Sequence, residues 1–281
     1  VFNMKIQGLK KVLAALFFAP VIFTACEEFE ADEILVPLTA RETQDSTPIT
    51  QTQNNLAILI EDFTAWNCPN CPDGTSILNS LKETYGDSLI VSAVHQGSFA
   101  KPKAENNNLD LRTPYGDELG SKFGLSSWPN AVINRKIGPL GRGDWETKIQ
   151  ECFANTEHLM NISLGAESTQ QGLLVSLQVD ALKDINEALT VTLFITESDI
   201  KGVQNNQGVM IEDYSFQHVL RNNPIVDMPL ATTGLKGGDR VSKNYYFTLD
   251  KSLNLNNCAV VAFVSNSAGE VLQVNEIEVE N

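Results

Sequence analysis

The chain has 281 residues, with 35 acidic against 20 basic side chains and a formal net charge of −15 at pH 7. That charge repels phosphate backbones and anionic headgroups, which argues against nucleic acid as a partner and against electrostatic attachment to a membrane. The length suggests more than one folded domain.

The N-terminal stretch reads as an export signal. Lys5, Lys10 and Lys11 form a positive region, and Val12 to Phe23 is an apolar run that ends at Thr24-Ala25-Cys26. Such a run is too short for a bilayer, which needs about 20 residues, and it fits a signal cleaved on export. Phe23-Thr24-Ala25-Cys26 resembles the lipobox of bacterial lipoproteins, although Phe23 stands where Leu is usual. The resemblance implies a signal peptide over 1–25, with Cys26 acylated and left as the mature N-terminus. An ordinary secretory signal is the alternative. Without residues 1–25 the chain keeps 17 basic and 35 acidic residues, a net charge of −18, so the membrane partner would be reached through lipid. Glu27-Glu28-Phe29-Glu30-Ala31-Asp32-Glu33 is a solvated acidic tether. It also resembles the acidic signal that sends lipoproteins of Bacteroidetes-type bacteria to the outer face of the outer membrane.

From Pro37 to Asn55, Thr, Gln, Pro and Asn dominate with neither helical nor strand period, so 26–55 is expected to be tether and flexible linker. The roughly 225 residues beyond it divide by periodicity into two domains. Over 56–158, strand-like runs (56–60, 89–94, 131–134) alternate with helix-like ones (73–81, 117–123 and 144–157, with Asp144 as N-cap), which predicts a sheet covered by helices. Over 159–281 the helical period is absent. Alternating runs at 173–179 and 189–195, with further runs at 161–164, 216–220, 244–249, 258–264 and 270–279, predict an antiparallel sandwich of immunoglobulin-like type.

Cys68-Pro69-Asn70-Cys71 lies between the apolar run at 56–60 and the helix-like run at 73–81. Two cysteines closed into one turn can cycle between dithiol and disulfide, and strand, CxxC, helix is the order of a thioredoxin-like redox site. Cys68 at a helix N-terminus would be the attacking thiolate, its pKa lowered by free N–H groups and the helix dipole. Cys71, one turn inward and less exposed, would resolve the mixed disulfide. Asp62 is either a buried base for Cys71 or an exposed carboxylate with Glu61 pointing inward. His95 either borders the pair or is an ordinary loop histidine. Cys152 and Cys258 are expected as unlinked buried thiols, since a bridge between them would cross the domain boundary. Scattered singly, His95, His158 and His218 make zinc a poor fit, and no cofactor is expected.

Two stretches carry a resemblance to thioredoxins. Asp62-Phe63-Thr64-Ala65-Trp66-Asn67-Cys68-Pro69-Asn70-Cys71 resembles the strand and site of that family, with an Asp six residues before the first cysteine. The stretch from Leu119 through Trp128-Pro129 to Ile133 resembles its helix, glycine turn and cis-proline strand. The resemblance implies that Pro129 is cis and holds the chain against the cysteines, leaving backbone free to pair with an extended substrate. A trans proline opening a strand is the alternative. Trp128, Trp66, Pro69 and Asn70 would border the substrate, with Trp128 either a platform or a core residue. Asn67 departs from the family's Trp, and Pro72 requires the helix to begin within the motif. The segment between the two stretches is long, with a loop near Asn106-Asn107-Asn108 that could cover the site. Across nearly its whole exported length, including Tyr214-Ser215-Phe216-Gln217-His218-Val219-Leu220-Arg221, the chain resembles the Omp28-related outer membrane proteins of Bacteroidetes.

The expected architecture is therefore an α/β thioredoxin-like N-terminal domain followed by an all-β immunoglobulin-like sandwich. Two functions follow. One is a lipid-anchored, surface-exposed thiol-disulfide oxidoreductase or isomerase acting on exported protein thiols and disulfides. Asn70 offers no positive charge to the thiolate, which favours a reductase or isomerase over a strong oxidant. The other is a surface binding or adhesin module for a protein ligand, with Cys68–Cys71 a permanent disulfide.

Overall fold

The computed structural model describes residues 40–170 and 172–280 and, for 222–224, the backbone only. The expected signal, the acidic segment and Cys26 lie outside the described residues. The strands run β1 (Ala40–Glu42), β2 (Gln51–Gln53), β3 (Ile58–Thr64), β4 (Leu89–His95), β5 (Asn130–Ile133), β6 (Ile137–Gly141), β7 (Met160–Thr169) and β8 (Gly172–Ala181). They continue as β9 (Leu189–Glu197), β10 (Ile200–Asn206), β11 (Val209–Phe216), β12 (Val219–Ala231), β13 (Arg240–Phe247), β14 (Cys258–Ser265) and β15 (Val271–Glu278). The α-helices are α1 (Cys71–Tyr85), α2 (Pro114–Lys122) and α3 (Trp145–Asn155).

Each helix follows from a start signal and an apolar stripe. Proline opens α1 and α2, where its missing N–H costs nothing, and Thr113 caps α2 by accepting from the Gly116 N–H at 2.9 Å. Cys71, Gly74, Leu78 and Leu81 are the buried face of α1, and Trp145, Ile149 and Cys152 that of α3. Asp144 holds the N-cap position of α3 but makes no side-chain cap bond.

The strands form a five-stranded sheet, β1-β13-β8-β7-β2, an eight-stranded sheet, β15-β14-β9-β12-β4-β3-β5-β6, and the separate pair β10-β11. β3 and β4 are parallel, with α1 as their crossover, while β5 and β6 pair antiparallel beyond β3. Alternation along the strands assigns the layers. Ile58 and Ile60 of β3 pack with Leu78, Trp145 and Ile149 on the α1 and α3 side. Leu59 and Phe63 pack with Tyr115 and Leu119 of α2 on the other, where Phe194 and Phe263 extend the same core. Val191, Leu193, Val260 and Ala262 pack against Ile162, Leu164, Val175 and Leu177, a sandwich-like core between the two large sheets.

Two expectations change. The 40–55 part of the expected linker is structured: β1 pairs with β13, β2 pairs with β7, and Thr47 is buried with its N–H on Ser176 Oγ at 2.9 Å. Its polar composition reflects edge strands with one wet side. The change of period near Met160 also marks no gap, because β12 joins β4 through Val219 opposite Ala93, and Ala93 N–H donates to the His218 carbonyl at 2.8 Å. Strands from both halves thus share one sheet, and the described residues fall in one compact unit. The run expected as one strand at 216–220 is instead a reversal, with Phe216 ending β11 and Val219 beginning β12. Among the described residues no helix is long and apolar enough to cross a membrane.

Candidate functional site

β3 delivers the chain to the loop at 65–70, and α1 begins on Cys71. Cys68 and Cys71 are joined as a disulfide with their Cα atoms 5.4 Å apart, and Cys71 N–H donates to the Cys68 carbonyl at 3.3 Å. The expected order of exposure does not hold: Cys68 is 0% and Cys71 2% exposed. Two covers account for this. On one side Ala100 and, from the stretch before β5, Trp128 pack in one cluster with the two cysteines, and Asn67 N–H donates to the Phe99 carbonyl at 3.2 Å. The β10–β11 hairpin supplies the other. Asn205 N–H donates to the Trp66 carbonyl at 2.8 Å and Gln207 N–H to the Pro69 carbonyl at 3.0 Å. The buried Gln204 amide donates to the carbonyls of Cys68 at 3.1 Å and Ala65 at 3.4 Å.

Pro69 is half-buried and Asn70 exposed, so Asn70 is the motif's outermost residue. Trp66, expected on the substrate surface, is a core residue. Its ring packs with Leu111, Phe216 and Val219, and its Nε1–H donates to the Lys101 carbonyl at 2.9 Å. Trp128 is half-buried, edge-on to Phe99 with ring centres 5.6 Å apart, and its Nε1–H is buried without a partner. Pro129 follows a cis peptide bond and packs against α1, where a Cβ on Gly74 would lie 3.3 Å from its ring. Cys68, Cys71, Trp128 and Pro129 therefore share one locality.

Asp62 and Glu61 are both buried, because α1 covers one face of β3 and α2 the other. Glu61 meets Arg135, Oε1 to Nη2 at 2.7 Å and Oε2 to Nε at 3.1 Å, and Arg135 also donates to Tyr115 Oη at 2.8 Å. Asp62 Oδ1 has no hydrogen-bond partner, and desolvation pushes the carboxyl from 3.8 up to about 7. Asp62 lines a cavity of about 20 Å³ with Thr75, Leu78, Lys82 and His218, room for about one water. Thr75 Oγ1 donates to the Cys71 carbonyl at 3.3 Å, so this cavity lies against the first turns of α1.

His95 is buried edge-on to Phe216 with ring centres 5.2 Å apart, and burial, helped by Arg221, lowers its pKa to about 3. It belongs to the core behind Trp66 rather than to a loop. Burial also lowers the His218 pKa, with Glu276 3.9 Å from its Nδ1. Cys152 and Cys258 are free and buried. A cleft of about 730 Å³ lies away from the cysteine pair and is lined by Lys82, Asp199, His218, Glu276 and Glu278 among others. Among the described residues no group of His, Cys, Asp or Glu could hold a metal ion.

The hairpin was missed from sequence because its strands are polar and do not alternate cleanly. Its signal was the turn: Gln207 and Gly208 both have positive φ, 52° and 90°, which is the two-residue turn that prefers glycine second.

Comparison with known proteins adds a family and a fold. HBP35 of Porphyromonas gingivalis superposes with a TM-score of 0.58 at 17% identity, over 80% of this chain and 75% of that one, a likeness of fold. A protein of Agrobacterium tumefaciens gives a TM-score of 0.48 at 13% identity, over 80% of this chain and 95% of that one. No curated protein sequence matches. The family model described as outer membrane protein Omp28 matches residues 116–281, which include Trp128-Pro129, the hairpin and strands β7 to β15. More than half of the sequence lies on that model, and the chain belongs to the Omp28 family of outer membrane proteins.

Proposed function

We propose that this Omp28-family protein exchanges its Cys68–Cys71 disulfide with thiols and disulfides of exported proteins, from a lipid anchor at Cys26 on the outer membrane. The observation that carries the reading is that α1 begins on Cys71 of a closed disulfide while Pro129 packs against the same helix. On this reading β3-α1-β4 with β5, β6 and α3 is a thioredoxin-like unit. Strands β15, β14, β9 and β12 of the same sheet, packed on the five-stranded sheet, are an immunoglobulin-like sandwich continuous with it.

The step balances within the exchange. A substrate thiolate attacks Cys68 Sγ, the Cys68–Cys71 bond breaks, and Cys71 leaves as a thiolate favoured by the N-terminal N–H groups of α1. A second substrate thiolate attacks the substrate sulfur of the mixed disulfide and releases Cys68. Two substrate thiols become one disulfide, and two electrons and two protons pass to Cys68 and Cys71. The reverse sequence reduces a substrate disulfide, and attack on a different sulfur isomerises one. Asp62 serves as a proton store beside α1, half ionised near neutrality. Trp128, Pro69 and Asn70 border the substrate.

Cys71→Ser tests this reading. Cys68 would then attack a substrate disulfide and stay bound, so covalent complexes with exported proteins should accumulate, and Cys68→Ser should accumulate none. If nothing is trapped and the purified protein reduces no model disulfide, the exchange reading fails. The burial of both sulfurs favours a second reading, a binding or adhesin module with a permanent disulfide. Thiol trapping in intact cells separates the two, because a permanent disulfide yields no reduced form. The anchor has its own test: Cys26→Ala should leave the precursor uncleaved or release the protein from membranes.

A further inference from the structure

We infer that the β10–β11 hairpin is a latch that occupies the cysteine site from within the chain, and that Gln204 and Asn205 are its fastening residues. The proposal adds regulation to the exchange reading and rests on that reading for its purpose, while the latch itself concerns access to the sulfurs.

The hairpin stands outside both large sheets, paired only with itself. A lone two-stranded hairpin is marginal in water, so its distal half depends on what it touches. What it touches is the cysteine loop. Asn205, at the end of β10, and Gln207, in the hairpin turn, present their N–H groups to the carbonyls of Trp66 and Pro69 on the cysteine loop. Asn205 Nδ2–H donates to Asn67 Oδ1 at 3.1 Å, and Gln204 spreads its amide over the carbonyls of Ala65, Cys68 and Asn205. The loop carbonyls that an incoming polypeptide would bond beside Cys68 are thus already occupied.

The base and the tip of the hairpin differ. At the base, Phe216 is buried against Trp66 and His95, Gly202 lies against Leu109, and Tyr214 hydrogen-bonds Thr75. At the tip, Val209 is 68% and Met210 42% exposed, and the register shifts between Gly202 and Gln204. Such a boundary lets the tip lift while the base stays packed, an opening smaller than global unfolding. Lifting removes the hairpin's bonds to the loop carbonyls, leaving those of Trp66 and Pro69 without their hairpin donors, and uncovers Cys68 on one side while the Ala100 and Trp128 cover stays in place.

The test is the rate at which dithiothreitol reduces Cys68–Cys71 in the folded protein, followed over rising dithiol concentration and compared with the global unfolding rate from urea jumps. The wild type should reach a plateau, set by hairpin opening, at least 10-fold above the unfolding rate. Gln204→Ala and Asn205→Ala should each raise that plateau at least 10-fold. Hydrogen exchange on the wild type gives a readout that needs no variant: the Asn205 and Gln207 amides should exchange faster than those of β9 and β14. A rate that climbs linearly without a plateau, or a plateau equal to the unfolding rate, overturns the latch. So does full protection of both amides. If Cys71→Ser traps nothing while the wild type shows the gated plateau, the exchange reading fails and the latch stands.

Discussion

Glu61 and Asp62 are neighbours on β3, both almost fully buried, and only Glu61 has a charged partner. Strand alternation sends Glu61 to the α2 face, where Arg135 grips it in a fork, and sends Asp62 to the α1 face, where a small cavity meets it. One carboxylate is structural and the other is poised to titrate.

The Glu61–Arg135 pair should be costly to break from one side. The Arg135 guanidinium lies 4.6 Å from the centre of the Phe263 ring and so ties the β5–β6 turn to β14. Arg135→Met leaves a buried carboxylate without its partner and should lose about 3–5 kcal/mol of stability, read from urea midpoints. A loss below about 1 kcal/mol would show that Glu61 finds water instead.

Asp62 gives a stability-versus-pH signature of known sign. In the unfolded chain its carboxyl loses its proton near pH 3.8, while in the folded protein it keeps the proton to about pH 7. The folded state therefore loses stability as pH rises from about 4 to 7, and the loss levels off above that. At about 1.36 kcal/mol per pH unit the full effect is roughly 4 kcal/mol. Asp62→Asn should flatten this part of the profile and be more stable than the wild type at pH 8. Parallel profiles for the two proteins would refute the assignment.

Gly97 controls how Trp128 lies on the disulfide. Its φ is +75°, and a Cβ there would sit 2.3 Å from Trp128 Cζ2. Gly97→Ala should cost about 1–3 kcal/mol and move Trp128 off the sulfurs, so the disulfide should reduce faster by more than the lost global stability accounts for. An unchanged reduction rate would mean that Trp128 is not a barrier.

The helices and the βαβ core were legible because each rests on a local signal: proline starts, the Cys71 to Leu81 stripe, and the uninterrupted apolar runs of β3 and β4. The fate of Asp62 was not, because alternation separates faces only when one is wet, and here both are covered. Trp66 looked like a site residue from its position beside the motif, yet Leu111, Phe216 and Val219, all distant in sequence, enclose it. The burial of Cys68 was hidden for the same reason, since its cover comes from residues 204–207.

The shared sheet predicts the behaviour of fragments. Residues 56–158 alone would expose the β4 edge that β12 occupies, and residues 159–281 alone would leave β12 without β4. Neither fragment should unfold cooperatively in urea, whereas the intact protein should show coincident transitions by fluorescence and circular dichroism. Two independent, sharp fragment transitions would argue for separable domains.

The most direct test of thiol-disulfide exchange is the reduction potential of Cys68–Cys71 in the intact folded protein, measured against glutathione or dithiothreitol buffers. Exchange with exported proteins predicts a potential above about −300 mV, within reach of biological thiols. A potential below about −300 mV would contradict it and mark the pair as a permanent cross-link.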